Sequence, residues 1–133
     1  MRADALPDLG TIPRREFLYS DDMADACVFL MNLPDEKYQT LLGSDEAKTG
    51  RFEPPVVNIG VGADNTIKEL AETVKSVVGY AGKIEFDPTK PDGTPRKLLN
   101  IRRLKNLGWQ PITSLEMGLT LAYQIYRGME NQI

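Results

Sequence analysis

Apolar positions recur at helical spacing in four stretches of this chain, with shorter apolar runs between them. Met23, Ala26, Cys27, Leu30 and Met31 fall at i, i+3, i+4, i+7 and i+8, which predicts a helix with one buried stripe. Ser20 is its expected N-cap, and Asp21 and Asp22 lie where the helix dipole favours negative charge. Ile67, Leu70, Ala71, Val74, Val77 and Val78 predict a second buried face. Thr66 and Glu69 open that helix as a capping box, and Gly79 closes it. Asn100 is positioned to cap a short helix carrying Ile101, Leu104 and Leu107, stopped by Gly108. Trp109 and Pro111 read as a connector, after which Ser114 and Glu116 open a last helix that aligns Leu115, Leu119, Ala122, Tyr123 and Tyr126. Residues 14–19, 56–60 and 83–87 read as short strands. Between Pro34 and Pro55 the pattern breaks, and Gly43, Ser44 and Gly50 mixed with charges predict a long surface connection. The expected fold class is α/β, with three or four helices and a few short strands.

Composition narrows the function. The chain has 133 residues, 41% hydrophobic and 26% charged, enough for one domain with a modest core. A net charge of −3 argues against a general nucleic-acid binder. No apolar run reaches the length of a membrane span, and the charged start Met1-Arg2-Ala3-Asp4 is not a signal peptide. The single cysteine cannot form an internal disulfide and suits a reducing compartment, so a cytoplasmic protein is expected. Cys27 lies on the predicted apolar stripe, and without a histidine to activate it the expected role is core.

The missing histidine also removes the commonest general acid–base group. There is no Cys/His metal set and no Walker-type loop, so no catalytic or metal-binding residue is assigned. Gly60 and Gly62 follow a predicted strand and precede a helix, but they give only G-x-G, without a third glycine or a ribose-binding acid. What remains is basic. Lys90, Arg96, Lys97, Arg102, Arg103 and Lys105 cluster in an otherwise acidic chain. The turn Lys90-Pro91-Asp92-Gly93-Thr94-Pro95-Arg96-Lys97 is stiffened by two prolines and presents Lys90, Asp92, Arg96 and Lys97 from a restricted backbone. Such a turn suits either a solvated connection or a grip on a phosphorylated ligand.

Three stretches carry a family resemblance. Arg14-Arg15-Glu16-Phe17-Leu18-Tyr19-Ser20-Asp21-Asp22-Met23-Ala24, then Asn58-Ile59-Gly60-Val61-Gly62, then the turn from Lys90 through Lys97 with Leu98-Leu99, resemble GDP-L-fucose synthase. This is an NADP-dependent epimerase/reductase of the extended short-chain dehydrogenase/reductase superfamily. The similarity runs from Pro13 to Tyr126. It implies a small C-terminal substrate-binding domain over residues 14–127, with a poorly matched arm at 1–13, a tail at 128–133 and no complete Rossmann domain. It further implies that Arg15 contacts the diphosphate of a GDP-sugar and that Asp92 and Lys97 belong to the substrate pocket.

The family's NADP loop, its Ser and Tyr-x-x-x-Lys catalytic set and its catalytic cysteine and histidine all lie upstream of the matched region. Cys27 matches neither of the latter two, and the tryptophan usual before the R-E-F stretch has no counterpart in Met1–Thr11. The chain by itself is therefore expected to bind no cofactor and to be catalytically incomplete. NADP(H) belongs to the full-length family, with an NADP-binding half supplied by the same gene product or by a second chain. Exposed apolar surface implies self-association. Two alternatives stay open: the substrate domain of another nucleotide-sugar epimerase or dehydratase, and a non-catalytic remnant or interaction module.

Overall fold

The computed structural model describes residues 13–43, 56–87, 89, 91 and 93–130. Among these it contains five helices and a three-stranded sheet, an α/β arrangement. The chain divides into two compact units, each described by itself. One comprises the described parts of Met1–Glu16, Ala63–Leu98 and Glu116–Ile133; the other comprises Phe17–Gly62 and Leu99–Leu115.

The second unit holds the core. Helix α1 (Ser20–Met31) is followed by α2 (Asp35–Gly43), and α4 (Arg102–Leu107) lies near the unit's end. Ala26, Leu104 and Trp109 are buried together, with Leu18, Phe29, Leu30, Val57 and Ile59 packed around them. The buried face of α1 is set one position away from the predicted stripe. Asp22 and Ala26 are buried, whereas Met23, Cys27 and Met31 are exposed, so Cys27 is not a core residue. The reason is polar: Asp22 accepts hydrogen bonds from the Thr113 amide at 2.9 Å and its hydroxyl at 3.0 Å, and Asp25 accepts from the Trp109 indole at 2.8 Å. Two aspartates thus turn this side of the helix toward the segment after α4. The N-cap is Tyr19 rather than Ser20, and it makes no side-chain cap.

Residues 56–60 alternate as a strand would, with Val57 and Ile59 turned toward the core, but they join no ladder. Side chains hold the segment instead. Asn58 Nδ2 donates to the Asn100 carbonyl at 3.2 Å, and Arg103 donates to the Val56 carbonyl at 3.0 Å. The predicted surface connection contains α2, which starts after Pro34 with Asp35 and Glu36 in its first turn. Residues 44–55 lie outside the described residues. Gly108 closes α4 at φ 105° as expected, whereas its N-cap is Ile101, without a side-chain cap; Asn100, one residue earlier, accepts from the Arg102 amide through Oδ1 at 3.1 Å. Trp109, expected as a connector, is core.

The first unit is built on β1 (Arg14–Arg15), β2 (Asn65–Thr66) and β3 (Arg96–Lys97), in the order β2-β1-β3. β1 runs antiparallel to β2 and parallel to β3. The strand expected over 14–19 is thereby confined to its first two residues, and 83–87 forms none. Helix α3 (Ile67–Val78) has the predicted capping box: Glu69 N donates to Thr66 Oγ1 at 3.0 Å, and Thr66 N donates to Glu69 Oε2 at 2.7 Å. Gly79 ends it at φ 73°, a left-handed conformation that suits glycine.

The face of α3 expected to be buried is not. Ile67, Leu70, Ala71, Val74 and Val78, with Lys75, Tyr80 and Ile84, line an open apolar groove of about 470 Å³. Helix α5 (Leu115–Glu130) carries Tyr123 stacked on Tyr126, ring centroids 6.5 Å apart; Tyr126 is exposed rather than buried. No helix among the described residues is long and apolar enough to cross a membrane.

Candidate functional site

The two basic stretches singled out in the sequence are neighbouring strands. In the parallel pair, Arg14 stands opposite Arg96 and Arg15 opposite Lys97. Side chains alternate along a strand, and directly paired residues share a face. Arg14 and Arg96 therefore lie on one face of the small sheet, and Arg15 and Lys97 on the other.

The Arg15 guanidinium is held against the backbone. Its Nη1 donates to the Arg14 carbonyl and to the Thr94 carbonyl, both at 2.7 Å. A Cβ placed on Gly93 would stand 3.0 Å from Arg15 Nη2, so the glycine leaves room for the planar group to lie beside the turn. The turn is joined to β1 again where the Arg14 amide donates to the Pro95 carbonyl at 2.8 Å. Upstream, Asp87 Oδ1 accepts from the Thr89 amide at 2.9 Å and its hydroxyl at 2.6 Å. The Thr89 hydroxyl and amide hold this carboxyl below its usual range. Lys97 is exposed and Arg15 half-buried. Lys90 and Asp92, also named as candidates, lie outside the described residues.

On the opposite face a carboxylate joins the two arginines. Asp64 Oδ1 accepts from Arg14 Nε at 2.8 Å, Asp64 Oδ2 accepts from Arg96 Nε, and the Asp64 carbonyl accepts from Arg14 Nη2 at 2.9 Å. The Asp64 side chain is only 4% exposed. The hydrogen bonds from Arg96 and then Arg14 hold its carboxyl below the ordinary carboxylate range, and the bond to Asp64 raises Arg14 above its ordinary value. Arg96, a candidate ligand contact, thus has its Nε–H engaged with Asp64. Asp64 was not legible as part of the site. It precedes a capping box as an ordinary loop acid would, and its partners are remote in sequence.

Gly62, the second glycine of the G-x-G stretch, is small for a packing reason. A Cβ on Gly62, which has φ +74°, would stand 2.6 Å from Ile101 Cδ1. Side-chain packing therefore accounts for the small residue that a pyrophosphate cradle would otherwise explain. Among the described residues no cluster of His, Cys, Asp and Glu has the makeup of a metal site.

Comparison with solved structures defines the class. A GDP-6-OMe-4-keto-L-xylo-heptose reductase from C. jejuni superposes with a TM-score of 0.73 at 32% identity, over 90% of this chain and 32% of that one. A GDP-mannoheptose C4 reductase from Campylobacter jejuni, solved with NADP bound, gives 0.66 at 31% identity, over 89% and 33%. No protein-family model matches the chain. The fold is that of one part of the nucleotide-sugar reductases and epimerases of the short-chain dehydrogenase/reductase type. Among curated proteins, GDP-L-fucose synthase from Escherichia coli is 47% identical over 90% of this chain and 34% of its own length. GDP-L-fucose synthase 1 from Arabidopsis thaliana is 49% identical over 86% and 30%. The chain is a homologue of the C-terminal third of the GDP-L-fucose synthases. It spans about a third of the length of the curated relatives it matches.

Proposed function

We propose that this chain is the GDP-sugar-binding part of a GDP-L-fucose synthase and that Arg15 and Lys97 grip the diphosphate. The observation that carries the reading is the parallel register of β1 and β3, in which Arg15 stands beside Lys97 on one sheet face. A diphosphate offers oxygens to both. The guanidinium supplies directed, charge-assisted N–H donors and the ammonium a mobile point charge. The remaining Lys90-to-Arg96 candidates belong to the same proposal: Lys90 adds charge, Asp92 accepts from a sugar or base hydroxyl or amine, and Arg96 borders the site.

Epimerisation and reduction of a GDP-4-keto-6-deoxy sugar would take place only with an NADP-binding half, which this proposal assigns to further sequence or to a second chain. The residues present bind and orient the nucleotide-sugar; no hydride or proton step is assigned to them. Self-association is part of the same reading, and the open apolar groove along α3 supports it. Sedimentation at increasing concentration should show association that Val74→Glu reduces; a monomer throughout would refute it.

Titration of the isotope-labelled chain with GDP, UDP and dTDP tests the function. GDP should shift the Arg15 and Lys97 amides, and Arg15→Ala should abolish the shifts. A preference for UDP would move the chain to another nucleotide-sugar enzyme. No response to any nucleotide, with a dispersed spectrum, would leave a non-binding module.

A further inference from the structure

We propose that Asp64 is a positioning residue for the Arg15–Lys97 anion site, acting through the pairing of β1 with β3; the inference rests on the diphosphate reading above. Each of these strands is only two residues long, so backbone pairing alone gives β3 few hydrogen bonds to β1. Asp64 adds two charge-assisted bonds across that junction, one to Arg14 on β1 and one to Arg96 on β3. It also removes an obstacle. Arg14 and Arg96 stand directly opposite each other, where like charges repel unless a counter-charge lies between them.

Asp64 works on the face away from the ligand. The register that pairs Arg14 with Arg96 also pairs Arg15 with Lys97, so fixing the first pair fixes the spacing of the second on the opposite face. A carboxylate so placed affects a bound diphosphate in two opposing ways. Its negative field weakens anion binding, and its bridging strengthens binding by preorganising the cations. Removing the charge while keeping the shape separates these effects by sign.

The test is Asp64→Asn in the full chain, read by GDP titration and by amide exchange at Arg14, whose N–H bonds the Pro95 carbonyl. The expected result is GDP binding weakened about tenfold, in the range of coupling within one hydrogen-bonded network. Faster exchange at the Arg14 amide and an unchanged Trp109 indole signal should accompany it. Arg96→Met should weaken GDP binding to a similar degree, and the double variant should be little worse than either single one. Binding of guanosine, which lacks the diphosphate, should not change.

GDP binding that is unchanged or tighter in Asp64→Asn overturns the proposal, because the field alone then suffices. Should Asp64→Asn fail to fold, unaltered GDP binding by Arg96→Met overturns it instead. If the parent chain binds no GDP, the diphosphate reading fails by itself. Arg14 exchange then decides on Asp64: faster exchange in the variant retains the bridge, and unchanged exchange removes it.

Discussion

Trp109 donates its indole N–H to Asp25 at 2.8 Å, joining the segment after α4 to the first helix. The ring is 6% exposed and sits with Ala26 and Leu104, so one residue supplies both apolar burial and a polar tether. Trp109→Phe keeps most of the burial and loses the hydrogen bond, and should destabilise the chain by about 1 kcal/mol in urea denaturation. Trp109→Ala should lose about 3–5 kcal/mol. That approaches the whole stability of a small domain, so near-complete loss of cooperative unfolding is expected.

Gly62 and Gly79 have nearly the same positive φ, 74° and 73°, and different surroundings. A Cβ on Gly62 meets Ile101 Cδ1 at 2.6 Å, while one on Gly79 meets nothing within 4 Å. Gly79→Ala should therefore cost only the left-handed penalty, about 1–2 kcal/mol. Gly62→Ala should cost more, and Ile101→Ala in the same chain should recover the excess. Midpoints of urea unfolding for the variants check this. Equal losses at the two glycines would contradict it.

Acid should weaken the unit that contains the sheet. Asp64 is held below its usual pKa by Arg96 and Arg14, and Glu69 is held below its own by the Thr66 amide and hydroxyl. A carboxyl lowered by folding contributes its full stabilisation above its unfolded pKa, about 4, and loses it as pH falls through the folded value. Stability should thus be flat at neutral pH and decline below about pH 4. Asp64→Asn should lower the plateau and flatten the decline. Urea midpoints measured from neutral pH downward would show both changes.

Arg15→Lys preserves charge and discards geometry. A lysine cannot span the Arg14 and Thr94 carbonyls with one planar nitrogen while presenting a fork to phosphate. GDP affinity should fall about tenfold, the loss of one charge-assisted contact. The reciprocal Lys97→Arg should be tolerated, since Lys97 is exposed. Isothermal titration distinguishes the two, and equal behaviour would argue against a directed contact at Arg15.

The two ends of α3 and the C-terminal stop of α4 were legible because their signals are local: a capping box and two C-terminal glycines. The α1 face was misread by one position because Asp22 is buried by Thr113, which lies far along the chain. The sheet was legible only at β1, which falls inside the strand expected over 14–19, for a related reason. Its strands are Arg-Arg, Asn-Thr and Arg-Lys, in which only Thr66 favours a strand, and the apolar run at 56–60 packs by its side chains instead. Arg15 and Lys97 stood out through charge and family resemblance. Asp64 could be found only once its two arginines were seen to be neighbours.

The central strand is paired with residues that emerge long after it. Arg14 reaches Asp64 across 50 positions, and Arg15 reaches Thr94 across 79. Closing such loops precedes any gain from the contacts they allow, which slows formation of non-local sheets. During translation β1 leaves the ribosome with neither neighbour available, and it acquires β3 only when most of the chain has been made. The α1–α2 segment and the α3 helix can form earlier from local sequence. The sheet that carries the two cations is then among the last parts to assemble, and a chain halted before Lys97 would lack that cation pair.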